Sequence, residues 1–218
     1  MPRTYMVREL FGPTIQGEGG MTGTPCHFLR FAGCNMWDGR EQTRNASACP
    51  FCDTQFLGGE RMTALQIMQR LERLGRTEWI TITGGEPMLQ LNLDLLKMLH
   101  SRWQIAIETN GTIEISNEMY MYLDHVTMSP KVPRTELKQL RCHSLKLLYP
   151  HPDPRITPES FWDIGAHERF LQPITPQNGS QAGMPVGDHA QVVIDRLTLG
   201  DLPGWRLSLQ THQMTGVL

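Results

Sequence analysis

The sequence predicts an α/β fold built on a largely parallel sheet, and three observations carry that expectation. Short apolar, β-rich runs alternate along the chain with segments of helical period. One of those segments has the start, the apolar stripe and the stop of a helix. The unusual loops all follow strand candidates at their C-terminal ends, the edge on which parallel sheets build sites.

The strand candidates are 27–33 (HFLRFAG), 79–85 (WITITGG), 104–110 (QIAIETN), 125–130 (HVTMSP), 144–150 (SLKLLYP), 168–174 (ERFLQPI) and 205–212 (WRLSLQTH). Residues 63–75 read as a helix: Thr63 is the N-cap, Leu65, Met68 and Leu71 form a stripe with Ile67 and Leu74 beside it, and Gly75 ends it. A second helix covers 91–100, after GGEPMLQ, and a third covers part of 188–199. The Pro- and Gly-punctuated stretches 150–159 and 175–188 read as loops. No repeat or low-complexity tract interrupts the chain, so residues 1–218 are expected to form a single domain with a real core.

Twenty Lys and Arg face 22 Asp and Glu, with no run of five like charges, which argues against a nucleic-acid or membrane surface as the main partner. The N-terminal MPRTYMVREL lacks an apolar h-region, and no apolar run reaches the roughly 18 residues that a membrane span needs. A cytoplasmic protein is expected. Three of the five cysteines cluster between positions 34 and 52, a pattern that fits a metal or cluster site in a reducing compartment better than a disulfide framework.

Five loops share the C-terminal edge: the cysteine loop after 27–33, GGEP at 84–87, TNG at 109–111, SPK at 129–131 and QPIT at 172–175. Cys49 and Cys52 form a C-x2-C pair, with Cys34 as a third sulfur. A structural zinc ion would want a fourth ligand, such as His27. A 4Fe-4S cluster held by only three thiolates would instead leave one iron open for an external ligand.

Phe51 just before the last cysteine and GGEP after the next strand resemble the radical S-adenosylmethionine (SAM) superfamily, which usually spaces its cysteines C-x3-C-x2-C. Here fourteen residues separate Cys34 from Cys49. In chain order, TIQGEGG, FLRFAGCN, FCDT, TGGEPMLQ, IAIETNG, SPK, LQP and SLQTH resemble the 7-carboxy-7-deazaguanine synthases, some of which carry the same lengthened loop. The likeness spans nearly the whole chain and is weakest over 132–165 and 176–203. It implies a partial, open β/α barrel of the radical SAM type, modified and reduced in helices, with the cluster loop at 34–52. It also implies a Mg²⁺-dependent carbon–nitrogen lyase, converting 6-carboxy-5,6,7,8-tetrahydropterin to 7-carboxy-7-deazaguanine with loss of ammonia, on the route to queuosine and related 7-deazapurines. SAM would be cleaved to methionine and a 5'-deoxyadenosyl radical that abstracts a hydrogen from the pterin and later returns it, so that SAM is regenerated. The implied partners are a small-molecule pterin, an electron donor such as flavodoxin and a second copy in a homodimer.

Residue by residue, the resemblance implies that Cys34, Cys49 and Cys52 ligate the cluster. SAM would be held by Phe51, Gly84, Gly85, Glu86, Glu108, Ser129, Pro130, Lys131, Gln172, Pro173, Ile174 and Thr175, where relatives often have an acidic residue near Thr175. Substrate would meet the turn Ile15, Gln16, Gly17 and Glu18, together with Arg30, Thr83, His212 and Leu218, the last standing where relatives usually have proline. Thr54, after FCD, matches a position that offers a hydroxyl to Mg²⁺. These tasks suit the residue types: glycine admits close backbone approach, and the Arg30 fork matches a carboxylate.

Read without the resemblance, the same residues have plainer roles. Arg30 then pairs structurally within its strand, Thr54 makes a local turn bond, Glu108 and Asn110 form a turn, and His212 packs or caps at the end of the last strand. Cys26, Cys142, Met68, Met98 and the tryptophans read as packing. For the whole chain, the alternatives are a zinc-stabilised binding module and a radical SAM activase acting on a partner protein.

Overall fold

In the computed structural model, which describes residues 2–174 and 187–216, nine strands form one sheet in the order β3-β1-β2-β4-β5-β6-β7-β8-β9. They are β1 (Thr4–Ile15), β2 (Pro25–Phe31), β3 (Glu60–Thr63), β4 (Trp79–Gly84), β5 (Gln104–Thr109), β6 (His125–Met128), β7 (Arg141–Tyr149), β8 (Gly165–Pro173) and β9 (Trp205–Leu207). From β2 through β4 to β9 every neighbouring pair is parallel. Only β1 runs antiparallel, between β2 and β3. The sheet stays open, with β3 and β9 at its two edges.

Among the described residues five helices accompany it: α1 (Ala64–Arg73), α2 (Leu93–His100), α3 (Asn117–Tyr120), α4 (Gly187–Thr198) and α5 (Thr211–Thr215). The crossovers β6–β7 and β7–β8 carry short 3₁₀ turns, Arg134–Glu136 and Pro158–Phe161, in place of α-helices. The fold is therefore an open β/α barrel poor in helices.

Helix α1 begins as its sequence dictates. The Thr63 hydroxyl accepts from Gln66 N, and the Gln66 side chain accepts from Thr63 N at 2.8 Å, closing a capping box. Gly75, at φ +117°, ends it. Ile67 and Leu71 are fully buried, worth about 1.5–3 kcal/mol each. Leu65, expected on the buried stripe, is 59% exposed, because the face that meets the sheet is centred on Ile67 and Leu71.

Strands β1 and β3 were not legible in the sequence. Charged Arg8 and Glu9 interrupt the period of β1, and register shifts between Val7 and Glu9 and between Phe11 and Thr14 break it. β3 is only four residues long and runs directly into the N-cap of α1. At the other end, the last strand stops at Leu207, where 205–212 was expected. One further backbone bond, Ser208 N to Leu171 O, follows it. The chain is then drawn off the sheet by Thr211 N bonding Gly17 O at 2.9 Å, and His212 falls in helix α5. The expected loop at 175–188 lies largely outside the described residues, as do Thr175 and Leu218.

Alternation along the parallel strands sorts the sheet into two faces. Leu29, Ile82, Ile107, Val126, Leu145 and Leu171 point to one side, where they join Ile67 and Leu71 of α1 and Leu95, Leu96 and Leu99 of α2 in the core. Their alternates Arg30, Thr83, Glu108, Thr127, Lys146 and Gln172 point to the other and line a single cavity. Each of six adjacent parallel strands thus contributes one polar side chain to the site.

Candidate active site

The cavity is about 430 Å³ and opens at the C-terminal edge of the sheet, where the five loops converge. Its walls include the thiols of Cys34, Cys49 and Cys52. The lengthened loop achieves this by folding as a small unit. Trp37 packs edge-on against Phe56 at 5.6 Å, and the Arg44 guanidinium covers the Trp37 ring at 4.2 Å. The same guanidinium donates to the carbonyls of Cys52 at 2.8 Å and Pro50 at 3.3 Å, which returns the C-x2-C pair to the neighbourhood of Cys34.

The three thiols also sense one another. The proximity of Cys49 and Cys52 brings Cys52 down to about 7 and, with burial, holds Cys49 well above the ordinary thiol range. Burial raises Cys34. Charge on Cys52 opposes ionisation of both Cys34 and Cys49, a repulsion that a bound cationic centre would relieve. Among the described residues no three His, Cys, Asp or Glu side chains gather as they would around one metal ion. His27, the candidate fourth zinc ligand, is fully buried and turns Nε2 to the Gly75 carbonyl at 3.2 Å. Three thiols at one cavity are the donors an iron–sulfur cluster takes, its irons each accepting a separate thiolate.

Gly84 and Gly85 are required first by their own chain. A Cβ on Gly84 would stand 2.5 Å from Phe31 O, and one on Gly85 would stand 2.3 Å from Gly33 O and 2.6 Å from Cys34 Cβ. The glycine pair is what lets the cysteine loop lie against β4. Glu86, expected to touch SAM, is fully buried beneath the cavity instead of lining it. It accepts from Thr109 Oγ1 at 2.8 Å, Asn110 N at 2.7 Å and Met88 N at 3.0 Å, tying the GGEP loop to ETNG. Burial raises its carboxyl while these donors oppose the rise.

Phe51, Ser129, Lys131, Gln172, Pro173 and Ile174 line the cavity, and Pro130 is buried. The Lys131 ammonium donates to Ser129 O at 2.7 Å and Oγ at 2.6 Å, and burial lowers its pKa. Glu108, expected with SAM, faces the IQGEG turn and accepts from Gln16 Nε2 at 3.0 Å. Glu108 lies on the sheet itself, level with Thr127.

The turn Ile15–Glu18 forms another wall. It is clamped by the segment after β9: Gly19 N donates to Ser208 Oγ at 3.0 Å, Ser208 Oγ to Gln172 Oε1 at 2.8 Å, and Gln210 Nε2 to Glu18 Oε1 at 2.6 Å. The His212 ring packs so closely on Gly17 that a Cβ there would sit 2.1 Å from Nδ1. On the opposite wall, Arg30 faces Glu9 across β1–β2 and Thr83 across β2–β4. Its Nε donates to Glu9 Oε1 at 2.6 Å, and the side chain lines the cavity. The irregularity between Val7 and Glu9 brings Arg8 to the same wall beside Glu9. Thr54 Oγ1 lies 3.3 Å from Asp53 Oδ1, two oxygen donors of the kind a hard cation accepts.

Several lining residues escaped the sequence reading: Arg8, Asp53, Thr127, Lys146 and Gln210. Lys146 had a signal. A lysine inside the apolar run SLKLLY has to face something other than the core, and alternation sets it opposite Leu145 and Leu147. The others sit in loops or carry ordinary polar side chains whose direction only the fold decides.

Over 98% of its length the chain is 38% identical to the 7-carboxy-7-deazaguanine synthase of Bordetella pertussis, covering 99% of that protein. The synthases of Bradyrhizobium diazoefficiens and Caulobacter vibrioides are 38% and 36% identical, each over 98% of this chain and 99% of theirs. A crystal structure of QueE from Escherichia coli matches with a TM-score of 0.64 at 23% identity, over 95% of this chain and 94% of that one, a likeness of fold. No protein-family model matches the chain.

Proposed function

The chain belongs to the 7-carboxy-7-deazaguanine synthase family, and from that premise we propose that it is the radical SAM lyase that turns 6-carboxy-5,6,7,8-tetrahydropterin into 7-carboxy-7-deazaguanine with release of ammonia. The observation that carries the reading is a convergence: three thiols, the glycine pair and the IQGEG turn border one cavity of about 430 Å³, a volume suited to small molecules.

Cys34, Cys49 and Cys52 would hold a 4Fe-4S cluster, which with SAM on its remaining iron supplies reductive radical initiation. The chain's own residues do the rest. Gly84, Gly85, Ser129, Lys131 and Gln172 hold SAM beside the thiols. Arg30, oriented by Glu9, offers its remaining N–H donors to the substrate carboxylate. Glu18 and Gln16 accept and donate at the pterin's amino and ring N–H edge, while His212 closes that end. Thr54 would give its hydroxyl to a Mg²⁺ ion that polarises the substrate. Residues 1–218 are read as one core domain, supported by a single sheet that takes strands from both ends of the chain.

A flavodoxin-type electron donor, a homodimer and a cytoplasmic setting complete the proposal; no helix among the described residues is long and apolar enough to cross a membrane. The deciding experiment is anaerobic turnover of 6-carboxy-tetrahydropterin with SAM, Mg²⁺ and a reductant, followed by mass spectrometry. The expected products are 7-carboxy-7-deazaguanine and ammonia. Protein that carries cluster absorbance at about 400 nm yet consumes no pterin would overturn the reading.

A further inference from the structure

Among the polar side chains lining the cavity, Lys146 has no task in the mechanism above. It projects from the middle of β7 into the cavity and is almost wholly buried, with its side chain 7% exposed. Its ammonium is bonded to Glu18 Oε2, and the Glu18 side chain is itself only 15% exposed. The other Glu18 oxygen accepts from Gln210 Nε2, whose amide also donates to Asp53 Oδ2 at 2.9 Å. Burying two charges costs several kcal/mol per ion before their attraction offsets it, so a buried pair at a cavity wall is a costly feature.

We infer that Lys146 is a positioning residue: it holds Glu18 as a buried carboxylate aimed into the cavity, so that the donor edge of the substrate meets an anion and not a carboxylic acid. This rests on the pterin reading above. The pterin's amino and ring N–H groups are adjacent donors, and a carboxylate can accept both because it has about four lone-pair sites, of which Lys146 and Gln210 use two. A protonated Glu18 would turn one of its oxygens into a donor facing a donor.

The surrounding charges favour this division of labour. Lys146 from β7 and Lys131 from the loop after β6 present positive charge towards Glu18, and the His212 ring of α5 faces it as well. Glu108 from β5 and Asp53 from the cysteine loop act on Lys146 and keep it protonated. Burial alone would raise the Glu18 carboxyl, and the Lys146 ammonium is the foremost of the contacts that reverse this, bringing it down to about 2.

The test uses the full-length, cluster-loaded protein and begins without substrate. A carboxyl-carbon NMR titration should find Glu18 ionised throughout the accessible pH range in the wild type, and titrating above its ordinary 4.5 in Lys146→Met. With the pterin, Lys146→Met should lower kcat/KM about tenfold one pH unit below the raised Glu18 pKa found in that titration, and much less at pH 8. The loss should fall in KM, while Lys146→Arg should keep the wild-type pH profile. The double variant Glu18→Gln/Lys146→Met should be no worse than Glu18→Gln alone, because a neutral amide needs no counter-charge. An unmoved Glu18 titration, or losses that multiply in the double variant, would overturn the inference. If Lys146→Met alone fails to fold for want of a partner to Glu18, the double variant should fold, and its failure would also overturn the assignment. Glu18 titrating as expected in protein that turns over no pterin would uphold the Lys146–Glu18 coupling and overturn the substrate reading instead.

Discussion

The Arg44 guanidinium lies 4.2 Å from the centre of the Trp37 ring and at the same time donates to the Cys52 carbonyl at 2.8 Å. One side chain thus joins the start of the lengthened cysteine loop to its end. Without that link, fourteen residues between Cys34 and Cys49 would leave the third thiol free to wander.

Arg44→Ala removes a cation–π contact and a charge-assisted hydrogen bond, together about 2–4 kcal/mol of local stability. Iron content after anaerobic reconstitution and desalting should drop below half of the wild-type value, with the thermal melt of the sheet little changed. Full iron in the variant would show that the loop is organised by something else.

Gly85→Ala places a methyl 2.3 Å from Gly33 O and 2.6 Å from Cys34 Cβ, both on the chain that carries the first cysteine. Backbone cannot yield as a flexible side chain does, so the loop should be pushed off β4. Loss of cluster absorbance together with SAM binding is the expected result, and calorimetric SAM binding at wild-type strength would contradict it.

Thr54→Val keeps the side-chain shape and deletes the oxygen. The response of turnover to added Mg²⁺ should disappear while SAM binding survives. An unchanged Mg²⁺ titration would return Thr54 to the role of a loop hydroxyl beside Asp53.

Arg30→Lys replaces a planar fork with a point charge. Glu9 already occupies Nε at 2.6 Å, so the terminal N–H groups are what a substrate carboxylate would use. KM for the pterin should rise at least about tenfold, roughly 1.4 kcal/mol, with kcat less affected; equal KM values would make the Glu9–Arg30 pair structural.

Away from the cavity, His125 stacks on His143 at 5.4 Å, and His143 meets His167 at 5.2 Å. Burial lowers His125 to about 4 and also lowers His143, so the fold prefers both rings neutral. The unfolded chain takes up protons below its ordinary 6.5 that the folded chain refuses. Stability should therefore be full above pH 6.5, decline as the pH falls towards about 4, and level off below. For His125 the linkage amounts to at most about 3 kcal/mol, which partial solvent screening reduces to about 1–2 kcal/mol. Denaturant melts at pH 7.5 and pH 5 should show this loss in the wild type and a smaller one in His125→Gln; the same loss in both proteins would rule out His125 as its source.

Much of the fold and site was legible because it depends on local patterns. Thr63, Gln66 and Gly75 mark the ends of α1 through contacts within a few residues, and the seven parallel strands announce themselves as apolar runs. Cys34, Cys49 and Cys52, GGEP and IQGEG stand out because few other roles demand those residues at those spacings. What the sequence alone left open depends on residues far apart in the chain. β1 is a strand because β2 and β3 flank it, and β9 ends early because Gly17 captures Thr211. Glu86 is a buried tie because Thr109 and Asn110 sit above it. Lys146 joins the site only when β7 brings it within reach of Glu18, 128 residues earlier. A side chain's residue type is local, but its partner is chosen by the packing of the whole sheet, since burial makes an unpaired charge too costly to keep.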